Sequence, residues 1–250
     1  MSDPTSASLA AALQACHVDV VALEGGLLVL AKPAGTLVQP ARDRKTKPVA
    51  LSSRVAAALR QLGLPSEVGV VHRLDAGVSG LVALGLDAPT TAALSAQLRS
   101  RSMRRRYLAL VRTWTAPSAM FIEEPIRERE DGRREVHATG QPARSRVEPI
   151  AFDARAGIGL VRVELDTGRT HQIRVHLAWA IGAVVGDRSY GDIGGRLERV
   201  GLHADALTLR HGSPAGDRQF RCPPAADFWA LAGAAAPGLQ AALDVAPPSP

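Results

Sequence analysis

The sequence predicts an α+β fold, and two observations predict it. Short apolar runs with strand-like alternation recur along the chain and turn at glycines, as hairpins do. Stretches of helical spacing are interposed among them at residues 49–63, 88–102 and 170–182. No run of eighteen or more apolar residues is present, so no membrane span is expected. The 250 residues suffice for one large domain or two small ones with a sizeable core. Hydrophobic content of 46% and charged content of 22% fit an ordinary globular chain.

Residues 1–18 read as a tail or short helix. VDVVALEGGLLVLAKPAG reads as two strands turning at Glu24-Gly25-Gly26, the second stopped by Pro33 and Gly35. Residues 41–48, ARDRKTKP, are a basic loop. VALSSRVAAALRQLG is a helix that ends at Gly63, a residue suited to a C-cap. A strand is then expected to end near Asp75, and GLVALGLD resumes as the next. APTTAALSAQLRSRS is a second helix. RRYLALVRTW alternates so that Tyr107, Ala109 and Val111 share one face. Residues 117–141 are polar and irregular, with Asp131-Gly132 as a hairpin tip. RSRVEPIAF and GIGLVRVEL are strands. In DTGRTHQIRVHLAWAIG, residues 166–182, Thr167-Gly168 is a turn and Thr170 is the expected cap of a helix running to Gly182. Ile173, Leu177 and Ile181 form its core face. ALTLR and RQFRC make a final strand pair before a helix near Asp227. One domain is expected over residues 19–240, with a disordered tail at 241–250.

Charge narrows the partners. The net charge is +6, and of 30 basic residues only Lys32, Lys45 and Lys47 are lysines, so 27 are arginines. Guanidinium groups are planar, always charged and suited to phosphate. Arg99, Arg101, Arg104, Arg105 and Arg106 cluster within eight positions, as a phosphate-contacting stripe or as a solvated helix end and loop. Aromatics make up only 4%, which disfavours a stacking platform for single strands. The two cysteines, Cys16 and Cys222, form no CxxC and suit a reducing cytoplasm. The N-terminus, with Asp3 and Pro4 and no basic start, is a poor signal peptide. His171 and His176, five apart, do not match the HExxH spacing, so no metal site is expected.

Two segments carry chemistry. VVHRLDAGVSGL, residues 70–81, brings His72, Arg73 and Asp75 to the end of an apolar run and then breaks at Gly77 and Gly80. Arg174 falls near the start of the 170–182 helix, where a cation opposes the macrodipole and calls for a carboxylate partner.

HRLDAGVSG resembles the HRLDxxTSG signature of the RluA-like family of RNA pseudouridine synthases, and RTHQIRVHL is similar to that family's second signature. LLVLAKPAGTLV, RRRYLALV, GDRSYG and LHADALTL agree in order, so the resemblance runs from about Asp19 to Trp229. It implies a mixed, largely antiparallel sheet with flanking helices around a central catalytic cleft. It also implies that Asp75 is catalytic, that Arg174 pairs with it, and that Tyr107 packs against a target uracil. The implied reaction detaches the base of a uridine in RNA, turns it and rejoins it through carbon, with no cofactor. Candidate substrate contacts are Arg73, His72, Gly77, Ser79, Gly80, His171, Gln172, Lys32, Arg104 and Arg105.

The residue types suit that chemistry. Detaching uracil leaves an electron-deficient anomeric carbon and negative charge on the base, and a carboxylate can serve as a nucleophile, at the base or at the sugar, or as a close electrostatic partner. A nearby guanidinium favours the ionised carboxylate where the base excludes water. Tyr107 can stack on the base and relay a proton. The uridine must leave its stack to reach such a group.

Plainer readings stand beside these. Arg73 contacts phosphate or only pairs with an acid, His72 is better read as a structural hydrogen-bonding group, and Tyr107 alone reads as core. Gly77 and Gly80 serve equally as turn residues. Two departures touch loop geometry: Val78 stands where the family usually has Thr, and Gln39 where KPAG is commonly followed by His before Pro. The catalytic region begins almost at once, so RNA, a tRNA or rRNA stem-loop, is expected to be held by the catalytic domain itself. A tRNA or small stem-loop is slightly favoured by the compact chain. A monomeric cytoplasmic enzyme is expected, and a non-catalytic RNA-binding or RNA-folding protein on the same scaffold is the rival.

Overall fold

The computed structural model describes residues 4–15, 18–40, 49–113, 117–191, 199–210 and 216–246, so the basic loop at 41–48 lies outside the described residues. The chain is α+β and divides into two compact units. One comprises Met1–Met103 with Ala206–Cys222, the other Arg104–Asp205 with Pro223–Pro250.

In the first unit, helix α1 (Pro4–Ala15) precedes the hairpin of β1 (Asp19–Glu24) and β2 (Leu27–Lys32), which turns at Gly25-Gly26 as the sequence predicts. Helix α2 (Leu51–Gln61) ends where Gly63 adopts φ +69°. Then come β3 (Gly69–Val70), β4 (Ser79–Gly85) and helix α3 (Ala88–Arg99). Asp87 caps α3, its Oδ1 accepting from the Thr90 N–H at 2.7 Å. β2 and β3 both pair antiparallel with β4. β4 is buried along its whole length, which explains its unbroken apolar run. Val29, Leu81, Ala83, Leu94, Met103, Leu207, Leu209 and Phe220 form one core. The last three come from β11 (Leu202–Leu209), whose second half belongs to this unit, and from its antiparallel partner β12 (Arg218–Arg221).

In the second unit, β5 (Arg104–Arg112), β10 (Ile158–Leu165), β9 (Ser145–Asp153) and β6 (Met120–Ile122) pair antiparallel in that order. Opposite Leu160 and Val161 of β10 the register shifts from Ala151 to Pro149, so Ile150 is an extra residue in β9 and Pro149 stands beside a bulge, a position that tolerates proline. β7 (Ile126–Glu128) and β8 (Arg134–Val136) form a separate hairpin whose tip includes Asp131-Gly132. Alternation sorts the β5 side chains. Leu108 and Leu110 join Ile158, Leu160, Phe228, Trp229 and Leu239 in the core under helix α5 (Ala226–Trp229) and helix α6 (Ala236–Val245). Tyr107, Ala109 and Val111 take the opposite face, Tyr107 and Ala109 beside Val163 and Val161. Helix α4 (Gln172–Ala180) packs on β8 and β9.

Two further expectations change. α6 continues to Val245, so residues 241–245 are helical where a disordered tail is expected. Thr170 does not cap α4: His171 occupies that position and makes no side-chain cap bond. No helix among the described residues is long and apolar enough to cross a membrane.

Candidate active site

The loop that carries Asp75 is built within the first unit. β3 stops at Val70, so Asp75 sits in a loop five residues beyond it, not at a strand end. His72 takes over where the backbone leaves the ladder, its Nε2 accepting from the Ala83 N–H at 2.9 Å. An Nε2 that accepts is unprotonated, which makes His72 a structural acceptor buried in the fold. Leu74 and Val78 are buried on either side of Asp75, which is itself half-buried. The Val78 N–H donates to the Asp75 carbonyl at 3.1 Å, closing a turn.

Lys32 is the strut of this loop. Only 1% exposed, it donates from Nζ to the carbonyls of Pro33 (2.9 Å), Thr36 (2.7 Å) and Ala76 (3.2 Å). Ala76 also accepts from the Gly35 N–H at 2.8 Å, so KPAG and the Asp75 loop brace each other. A buried ammonium needs such acceptors. The Lys32 ammonium is thus engaged by backbone carbonyls. Ser79 and Gly80 are likewise buried in β4. Gly80 pairs with Lys32 at φ +112°, a conformation that strains any residue with a Cβ. Gly77 is half-buried at the turn, and Arg73 is exposed.

The second unit assembles the other candidates. Tyr107 is 5% exposed on β5, with Arg105 on the same strand face by alternation. The arginine cluster splits by position. Arg99, Arg101 and Arg104 are exposed, whereas Arg106 is buried and pairs with Asp205 (Nη2–Oδ2 2.6 Å). Arg105 is half-buried and lies over the Gly168 turn, its Nη2 3.4 Å from the Thr167 carbonyl. A methyl group on Gly168 would meet Arg105 Nη1 at 2.9 Å, so glycine is what lets the guanidinium rest on the backbone.

A chain of hydrogen bonds anchors the start of α4, and its proton directions follow from its two ends. His176 Nε2 lies 2.9 Å from the Glu124 carbonyl and must donate to it. His176 Nδ1, 2.9 Å from Ser145 Oγ, then accepts from the hydroxyl in the neutral ring. Ser145 Oγ accepts from Gln172 Nε2 at 3.0 Å, and Gln172 Oε1 accepts from Thr167 Oγ1 at 2.8 Å. Thr167 Oγ1 accepts from the Arg144 N–H at 2.9 Å. Gln172, 2% exposed, is thus engaged through both ends of its amide by this network.

Burial pushes the His176 pKa below its ordinary value, against smaller opposing contributions from the Glu124 carbonyl and the Glu124 charge. Between the lowered folded value and about 6.5 the unfolded chain binds more protons than the folded one. The resulting stability is present above about pH 6.5 and is lost as pH falls through the folded value. Denaturant unfolding from pH 8 to pH 5 should show that loss, and His176→Gln should flatten it. An unchanged slope in the variant would assign the loss to another group.

Within its own unit Arg174 meets a carboxylate that the sequence reading did not name, Asp187. Arg174, 7% exposed, donates from Nε and Nη2 to Asp187 Oδ2 and Oδ1 at 2.6 and 2.8 Å. Asp187 is 1% exposed, and its Oδ1 also accepts from the Ser189 N–H at 3.1 Å. Two parallel bonds fix the plane of the guanidinium. The Tyr190 ring lies under it, 5.0 Å from Cζ to centroid. Beside them His171 is held at φ +59°, a strained conformation for a non-glycine residue that costs roughly 1–3 kcal/mol. Asp187 and Tyr190 were missed as site residues, although GDRSYG stood out in the sequence. Nothing in spacing alone says that its aspartate reaches back to a helix thirteen residues earlier. Among the described residues no cluster of His, Cys, Asp and Glu is arranged to hold a metal ion.

These observations define the class first. The fold is that of pseudouridylate synthase domains: human RNA pseudouridylate synthase domain containing 4 matches with a TM-score of 0.71 and 20% identity, covering 98% of this chain and 99% of that one. A family profile for RNA pseudouridylate synthases matches residues 26–179. The chain belongs to the RNA pseudouridylate synthase family, in its RluA-like branch. An uncharacterized RNA pseudouridine synthase of Bacillus subtilis (strain 168) is 34% identical over 197 residues, 78% of this chain and 65% of that protein. The ribosomal large subunit pseudouridine synthase C of Salmonella typhimurium is 34% identical over 212 residues, 79% of this chain and 64% of that protein. The chain thus spans just under two thirds of the length of these curated relatives.

Proposed function

We propose that the chain isomerises a specific uridine in structured RNA to pseudouridine, with Asp75 as the catalytic carboxylate. The observation that carries this reading is the bracing of the Asp75 loop by Lys32, Gly35 and Val78 through backbone carbonyls. That bracing holds a half-buried carboxylate in one place before substrate arrives, which is where much of enzymatic rate enhancement originates. Family membership supports it.

The bond between uracil N1 and C1′ breaks, the base turns, and C5 bonds to C1′. The C5 hydrogen is lost and N1 gains one, so the product is an isomer. In this reading Arg174 is a further catalytic residue, and the alignment of its guanidinium by Asp187 makes it rigid. Tyr107 packs against the uracil. Arg73, Arg104 and Arg105 meet the phosphates, and Arg105 is already seated on the Gly168 turn. A relative named for the ribosomal large subunit makes ribosomal RNA the first substrate to test, with tRNA beside it.

The C5 hydrogen supplies the assay. Ribosomal and transfer RNA carrying tritium at uridine C5 should release it to water when incubated with the purified chain, and mapping should locate one modified uridine. Binding without release from either RNA would overturn this reading in favour of a non-catalytic RNA-binding protein.

A further inference from the structure

Tyr190 has contacts that packing alone does not require. Its hydroxyl oxygen accepts from the Arg134 backbone N–H at 3.1 Å, which ties it to β8 of the β7–β8 hairpin. The same oxygen lies 2.7 Å from His171 Nδ1. With one lone pair taken by Arg134, the geometry lets the phenol donate its proton to Nδ1. That direction fixes the neutral tautomer of His171 with its proton on Nε2. The ring meets His171 edge-on, at 5.7 Å and 78°, and carries the Arg174 guanidinium on its face.

Apolar contacts run the same way. Ile126 at the hairpin base, Ala143 and Val175 of α4 form a small core against which Val136 and Tyr190 pack. The His176 bond to the Glu124 carbonyl lies just before the hairpin. One phenol therefore touches the hairpin backbone, the strained residue preceding α4, and the arginine on α4.

We propose that Tyr190 is a positioning residue for the isomerisation: its hydroxyl latches the β7–β8 hairpin to His171, holds that imidazole in the Nε2–H tautomer, and keeps the Arg174 helix in register. The proposal rests on the functional reading above for its kinetic consequence, but the latch itself is readable without activity. The two bonds of Arg174 to Asp187 are made to its carboxylate oxygens and do not involve the Tyr190 hydroxyl.

Tyr190→Phe separates the roles, because it keeps the ring and removes only the hydroxyl. Three measurements decide it, with thermal melting confirming that the variant folds. Long-range ¹H–¹⁵N NMR at pH 8 should show His171 as the Nε2–H tautomer in the wild type and as a tautomer mixture in the variant. The Arg134 amide should be protected from hydrogen exchange in the wild type and lose that protection. On a modified RNA substrate, kcat should fall by about ten- to a hundredfold with KM within about threefold, the effect of a small misplacement in a reacting geometry.

An unchanged tautomer, or unchanged Arg134 exchange, would overturn the latch. A lost latch with kcat unaltered would overturn the positioning role. A wild-type chain inactive on every RNA would instead sink the functional reading and the kinetic claim with it, while the tautomer and exchange data still decided the latch.

Discussion

Asp75→Asn is expected to leave RNA binding intact and to lower turnover by on the order of 10³-fold or more, as removal of a principal catalytic group does. The substitution is nearly isosteric. The contacts that shape the loop run through backbone atoms, the carbonyls of Asp75 and Ala76, and through Lys32, so the loop should survive it. What is lost is the negative charge and a carboxylate oxygen able to serve as nucleophile or electrostatic partner. Tritium release and filter binding on the same RNA separate the two effects. Turnover within tenfold of the wild type would remove Asp75 from the mechanism. Weakened binding with proportionate loss of turnover would make it a contact only.

The second large effect lies at Asp187. Asp187→Ala removes the carboxylate that both Nε and Nη2 of Arg174 engage in a buried setting. Breaking such a pair from one side costs about 3–5 kcal/mol, because a buried guanidinium loses its counter-charge. For a chain of this size that corresponds to a melting temperature lower by on the order of 10 °C. Turnover should fall by about a hundredfold or more as the guanidinium loses its plane. Arg174→Ala should abolish turnover as well. The double variant Arg174→Met, Asp187→Leu is the control: it should recover much of the stability, since a buried ion pair is replaceable by apolar packing, and none of the activity. A stable, active double variant would show that the pair serves only the fold.

The candidate site was unevenly legible. Asp75, Arg174 and Tyr107 were reached through motifs, and the need of Arg174 for a carboxylate followed from its place near a helix start. Which carboxylate meets it within its unit did not follow, because Asp187 lies on a turn beyond the helix and nothing periodic connects the two. Lys32 and Gln172 share a feature that spacing does not show. Both are polar residues beside catalytic motifs, and both are buried and saturated by internal partners. Composition records that a residue can donate a hydrogen bond, but not whether the fold has already taken the donor. The arginine cluster divides for the same reason, since strand alternation sends Arg106 into a buried pair with Asp205 and leaves Arg104 exposed.

The elements themselves were largely set by local chemistry. Glycine turns, apolar alternation along β5 and β10, and the Gly63 stop are properties of neighbouring residues, and they survive in the structure almost where the sequence puts them. The exceptions are instructive. Thr170 loses the cap of α4 to a left-handed His171, and β3 ends five residues before Asp75, each displaced by contacts from distant segments. The sequence by itself determined the α+β class, the family and the loop that carries the carboxylate. Only the tertiary structure decided which polar groups are spent on one another, namely Lys32 on carbonyls, Gln172 on Ser145 and Thr167, Arg174 on Asp187, and Tyr190 between Arg134 and His171. Hydrogen bonds and ion pairs depend on ångström-scale distance and direction between residues far apart in the chain, and no local pattern encodes that.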